Sequence, residues 1–99
     1  MPDVYLRVFN DPSHKLVAIC DSALIGRTFR EGKVKLDVKV EFYRGSLTSV
    51  DKAMEALQSA DIGNLVGDVS VGAAIDRGLV DPAAIIKVNG VPHVQIVKM

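Results

Sequence analysis

Lys87-Val88-Asn89-Gly90-Val91-Pro92-His93-Val94-Gln95-Ile96-Val97 decides more of the fold than any other stretch of this chain. Asn-Gly between alternating apolar residues specifies a two-residue β-hairpin. On the second strand of that hairpin His93 and Gln95 share one face. Pro92 cannot donate to a ladder, so the strand is expected at a sheet edge, or with its pairing starting just after Pro92, leaving His93 within reach of a partner.

Earlier in the chain, Val4, Leu6 and Val8 alternate with Tyr5, Arg7 and Phe9 in a first strand. A turn at Asn10-Asp11-Pro12-Ser13 then returns the chain through the mostly apolar Lys15–Cys20, which makes an antiparallel hairpin. Asp21 is expected to cap a short helical turn through Leu24 and Ile25 that Gly26 ends. Thr28 to Gly32 reads as a polar, mobile loop. Val34, Leu36, Val38, Val40 and Phe42 occupy every second position, with Lys35, Asp37, Lys39, Glu41 and Tyr43 opposite them, which predicts one long strand. Gly45 breaks it.

Thr48 or Ser49 can accept the first free amides of a helix whose Val50, Ala53, Met54 and Leu57 form one apolar stripe ending near Ala60. Gly63 and Gly67 bracket a segment too glycine-rich to assign. Asp68 starts a second helix that runs to Arg77, and Gly78 suits its C′ position. The order is β-β-β-α-α-β-β in a single domain, residues 1–99. Hairpin connections and consecutive helices predict an α+β fold with a mainly antiparallel sheet of about five strands, covered on one face by two helices.

Composition narrows the function classes. A hydrophobic content of 48% against 24% charged residues is that of an ordered globular chain rather than a disordered one. Its apolar runs fall far short of the roughly 20 residues that cross a bilayer, so no membrane partner is expected. The start of the chain reads as a strand rather than a secretory leader. Cys20 is the one cysteine, which rules out an intramolecular disulfide and suits a reducing, cytoplasmic setting. Twelve basic and twelve acidic residues cancel, against bulk-charge gripping of nucleic acid. Yet residues 27–44 hold Arg27, Arg30, Lys33, Lys35, Lys39 and Arg44 against three acids, whereas residues 45–86 hold six acids against Lys52 and Arg77.

That basic segment is the first candidate site. Lys33, Lys35 and Lys39 would project from one strand face with Tyr43 at its end, and Arg27, Arg30 and Arg44 would flank it in loops. Such charges beside an exposed aromatic suit phosphates and stacked bases of RNA. Asp37 and Glu41 interrupt the same face, and a mixed-charge solvated surface needs no ligand. Cys20, Asp21 and His93 are the residues from which a thiol nucleophile, an orienting acid and a base could be assembled. Each has a plainer role available as a small buried hydrophobe, a helix cap and a surface residue. His14, Cys20 and His93 lack the short spacing of a metal motif, so neither metal nor cofactor is expected. Gly63–Asp68 leads into a helix N-terminus but lacks the lysine and hydroxyl of a P-loop, and Asp68 at the cap would occupy the amides itself. The unpaired edge of His93 to Val97 could pair with a second copy in a homodimer.

Taken together, Cys20-Asp21-Ser22-Ala23-Leu24-Ile25-Gly26-Arg27-Thr28-Phe29-Arg30-Glu31-Gly32, Phe42-Tyr43-Arg44-Gly45, Asn64-Leu65-Val66-Gly67 and Gly90–Val97 resemble an archaeal family, domain-of-unknown-function family 424, over nearly the whole chain. The family pattern has lysine at the position of Arg27, which keeps the charge but not the ammonium geometry, and a small residue at Val94. The resemblance implies an archaeal cytoplasmic protein of about this length, with a loose association to translation and RNA processing and no established reaction. It draws attention to the motif positions on turns and polar tips, namely Asp21, Arg27, Glu31, Gly32, Asn64, His93 and Gln95.

The expectation is a noncatalytic binding module associated with RNA or a ribonucleoprotein. Arg27, Arg30, Lys33, Lys35 and Lys39 would hold phosphates, with Asn64, His93 and Gln95 for polar recognition. The alternatives are a small enzyme built on Cys20, Asp21 and His93, and a homo-oligomeric assembly protein.

Overall fold

The computed structural model describes residues 3–98. β1 (Asp3–Asn10) and β2 (Lys15–Asp21) form the antiparallel hairpin expected of them, with Val4 opposite Asp21 and Asn10 opposite Lys15. After a 3₁₀ turn at Ser22–Leu24 come β3 (Thr28–Glu31), β4 (Val34–Asp37) and the short helix α1 (Val40–Tyr43). β5 (Ser46–Ser49), α2 (Val50–Gln58), β6 (Ile62–Val66) and α3 (Asp68–Asp76) follow, and β7 (Ile86–Val88) and β8 (Val91–Val97) close the fold. Six strands form one sheet in the order β5-β1-β2-β6-β8-β7, and β3 with β4 makes a separate two-stranded ribbon.

This is an α+β architecture, but the sheet is mixed rather than mainly antiparallel. β2 and β6 run parallel, with Ala18 beside Asn64 and Cys20 beside Val66. The reason is the long excursion between them: the chain returns through β5 and α2 before β6 begins, as a parallel crossover requires. The glycine-rich segment left unassigned is therefore a central strand. Gly63 belongs there because a Cβ at that position would press on the Leu57 side chain of α2.

Both faces of the sheet are covered, not one. On the first, Val4, Val17, Ile19, Leu65 and Val94 pack against Ala53, Met54 and Leu57 of α2 and Val71 and Ala74 of α3. Ser49 starts α2 as expected, its Oγ accepting from the Lys52 amide at 3.2 Å. On the second face, Ala18, Cys20, Val66 and Val88 are buried under Phe29, Leu36, Val38 and Tyr43. The ribbon and α1 supply that cover. Burying a Leu or Phe side chain contributes about 1.5–3 kcal/mol, and Phe29 and Leu36 make that contribution for the ribbon.

The long strand expected over Val34–Tyr43 stops at Asp37, and Val40–Tyr43 forms a helical turn. Alternation persists inward as far as Leu36 and Val38, both buried, and then fails: Val40 is exposed while the adjacent Phe42 and Tyr43 turn onto the sheet. Thr28–Glu31, expected as a mobile loop, is the partner strand, closed by a two-residue turn in which Gly32 has φ +59°. That sign at the first turn position marks a hairpin turn that twists with its strands.

The final hairpin forms as its Asn-Gly dictates, with φ 51° at Asn89 and 82° at Gly90. β7 pairs only with Val91, Pro92 and His93, so the rest of β8 has an open edge. Pro92 lies where its missing N–H goes unneeded. Its carbonyl accepts from Gly67 N at 2.9 Å, while the Gly67 carbonyl that would face it accepts instead from Val71 N of α3 at 3.0 Å.

Asp21 does not cap the turn that follows it. Its carboxylate crosses to α3, accepting from Val69 N at 3.0 Å, Ser70 N at 2.8 Å and Ser70 Oγ at 2.8 Å. Asp68 is exposed and takes none of those amides. Gly67, at φ 110°, is the residue before the helix, and a Cβ there would overlap the Asp21 carboxylate. Among the described residues no helix is long and apolar enough to cross a membrane.

Candidate functional site

The β3–β4 ribbon has two unlike faces. Phe29 and Leu36, directly opposite each other, are buried against the sheet. By alternation Thr28, Arg30, Lys35 and Asp37 turn outward. Arg30 stands directly opposite Lys35, an arrangement of like charges that costs stability in the free protein. Lys33 occupies the turn, and Arg27 and Lys39 lie just outside the two strands, all three exposed. The Arg27 guanidinium also sits 5.1 Å from the centre of the Phe29 ring.

Among the described residues no carboxylate of the ribbon forms an ion pair with these cations. Glu31 accepts from the Asn89 amide at 2.7 Å, pinning the ribbon to the β7–β8 turn. Asp37 accepts from the Thr28 hydroxyl at 3.2 Å. Among the described residues the ion pairs are His14–Asp11 and Arg77–Asp51, both away from the ribbon. Five cations, Arg27, Arg30, Lys33, Lys35 and Lys39, therefore share one small projecting element.

Two details of the expected basic face change. Lys33 and Lys39 are not on the same strand as Lys35, because the strand is shorter than its alternation suggested. Tyr43 is no stacking platform: it is buried, and burial pushes its phenol up to about 12. Arg44 is exposed after α1.

Asn64, His93 and Gln95 do come together. Asn64 faces Gln95 across the β6–β8 pairing, and His93 faces Val66 one pleat away on the same side. That side is the one the ribbon covers, since Val66 and Ala18, the latter beside Asn64, are buried in the ribbon's cluster. The cover reaches Val91 of β8 and Val88 of β7 but leaves the middle of β8 open: His93 and Asn64 are half-buried and Gln95 is exposed. His93 Nδ1 lies 3.0 Å from the Leu65 carbonyl. A carbonyl can only accept, so Nδ1 carries a proton and the neutral ring keeps its lone pair on Nε2.

Cys20, Asp21 and His93 do not converge. Cys20 and His93 stand on strands separated by β6, a spacing of about 10 Å, outside hydrogen-bond reach. Asp21 points to the opposite face, where α3 holds its carboxylate. Cys20 is fully buried, and burial, followed by the nearby Asp21 charge, pushes its thiol up to about 12. A thiol so placed stays protonated at neutral pH and is a poor nucleophile. His14 is exposed in the β1–β2 turn, remote from both. Among the described residues no three His, Cys, Asp or Glu side chains gather as a metal would need.

Beside this face the sequence reading overlooked an aromatic stack. Phe9 and Phe42 stack with centroids 5.4 Å apart, and the Arg7 guanidinium lies 4.6 Å from the Phe9 ring centre while donating to the Glu41 carbonyl. The Tyr5-Arg7-Phe9 alternation was the available signal. Assigning Phe42 to the inner face of a long strand hid its partner.

The profile of a family described as protein of unknown function (DUF424) matches residues 9–99, and the chain belongs to that family. It is similar to a crystal structure of an uncharacterized conserved protein from the archaeon Methanopyrus kandleri, at 26% identity and a TM-score of 0.79. That similarity covers 98% of this chain and 94% of the other. No curated protein matches the sequence.

Proposed function

We propose that this DUF424 member is a noncatalytic, cytoplasmic binding module for RNA, gripping phosphates with the β3–β4 ribbon and reading polar groups with Asn64, His93 and Gln95. The observation that carries the reading is Arg30 opposite Lys35, with Glu31 and Asp37 committed to other hydrogen bonds. Paired like charges cost the free protein stability and repay it only when an anion bridges them. The near-zero net charge makes the grip local, carried by the ribbon rather than the whole surface.

Fluorescence anisotropy with a labelled single-stranded RNA checks this. Wild type should bind, and the double variant Arg30→Ala/Lys35→Ala should bind at least about tenfold more weakly, since each phosphate contact is lost in full. Equal binding by the two proteins would contradict it. Self-association is a second reading, favoured by the open β8 edge. Light scattering that returns a monomer mass would remove it.

A further inference from the structure

Asn64 is a poor residue for its place. It sits in the middle of β6, a strand paired on both sides, where asparagine is disfavoured. Among the described residues no buried side-chain nitrogen or oxygen lacks a partner, so its half-buried carboxamide and His93 Nε2, which bond no other described residue, must reach solvent. Gln95 adds more than its side chain. Hydrogen bonds from Gly67 N to Pro92 O and from Lys98 N to Asp61 O show that even-numbered residues of β8 bond to β6. Odd-numbered ones therefore point the other way, and beyond His93 no β7 residue meets them. The main-chain N–H and C=O of Gln95 thus open onto the same edge as its carboxamide.

Resting on the RNA reading above, we infer that this uncovered part of the sheet holds one unstacked base of a single strand and selects a base with an exocyclic amine. A paired base hides its Watson–Crick edge, whereas a base in a single strand presents it. The tautomer fixed by the Leu65 carbonyl makes Nε2 an acceptor, which calls for an N–H on the base. The amine of cytosine or adenine meets it. With the 4- or 6-substituent of the base set against Nε2, uracil or hypoxanthine puts an oxygen lone pair there instead and turns its ring N–H to the two carboxamides, which, each both donor and acceptor, can pair with the remaining edge of any of the four. The strand's phosphates are matched by the cations of the ribbon that covers the other part of this face.

The test is competition binding at one fixed salt concentration, oligocytidylate against oligouridylate of equal length, with adenosine against inosine at a single position as a second pair. The amine-bearing member should bind about five- to tenfold more tightly, the range for one hydrogen bond gained against one lone-pair clash. His93→Phe should erase that ratio while leaving the thermal midpoint near wild type, whereas Asn64→Ala should weaken both members of each pair and keep the ratio. Equal affinities within both pairs, or a preference that survives His93→Phe, would overturn the selectivity. In that event, weakening of every oligonucleotide by Arg30→Ala/Lys35→Ala would leave the RNA reading standing. Binding of none would remove both.

Discussion

The two faces of the central sheet are built from the same strands and finished differently. The face under α2 and α3 is sealed: Ile19, Met54, Leu57, Leu65 and Val71 are all essentially inaccessible. The face under the ribbon and α1 is sealed over β2, the Val66 end of β6 and Val88 of β7, and the middle of β8 shows His93 and Gln95 to solvent. One side is packed as a core throughout. The other stops packing where polar side chains begin and carries on its outer layer cations that form no ion pair among the described residues. Stability should therefore depend chiefly on the first face and binding on the second.

The largest effects should come from breaking the sealed face. Leu57→Ala should cost about 3–5 kcal/mol and Leu36→Ala, at the rim of the ribbon's cluster, nearer 2, because a cavity with no route to solvent collapses least. Urea titrations of the two variants compare the faces directly, and equal losses would erase the distinction. Asp21→Ala comes next, at about 2 kcal/mol, since three hydrogen bonds at the start of α3 lose their acceptor. Amide exchange should then accelerate at Val69 and Ser70 first.

Alkali sharpens the contrast from the other side. Cys20 is raised from 9.0 and Tyr43 from 10.0, each to about 12, both by burial in the ribbon's cluster. Their neutral forms are favoured by folding, so this stabilisation is whole below pH 9 and is lost as pH rises from about 9 toward about 12, where the unfolded chain ionises first. Thermal midpoints measured across that window should fall, and Cys20→Ala should flatten the lower part of the fall. The smallest stability effect belongs to the outer surface of the ribbon. Arg30→Glu should stabilise by a few tenths of a kcal/mol by replacing a like-charge pair with an opposite one, and should weaken RNA binding at least about tenfold. A variant that gains stability and keeps its affinity would contradict the assignment.

What could be read from the sequence was local. The Asn89-Gly90 turn, the Ser49 cap, the apolar stripe of α2 and Gly78 after α3 each depend on neighbouring residues, and each is where its chemistry put it. Asn64, His93 and Gln95 were singled out as polar positions and prove to adjoin. What could not be read was settled at a distance. Asp21 looked like the cap of the turn beside it, but the amides it meets are 48 and 49 residues along the chain. Parallel pairing of β2 with β6 leaves no mark in either strand, and Gly63 and Gly67 imitate a loop. Val34–Phe42 misled for a different reason: a four-residue helix is too short to show a 3.6-residue period, so strand alternation ran on through it. The like-charge pair at Arg30 and Lys35 became visible only once the ribbon was recognised.

The salt dependence of RNA affinity tests the central claim most directly, because it counts the phosphates held by the ribbon. A plot of log affinity against log salt should be linear for wild type, and Arg30→Ala/Lys35→Ala should flatten its slope by about 1.4, the loss of two contacts on a single strand. An unchanged slope, or no measurable affinity for RNA at low salt, would contradict the account.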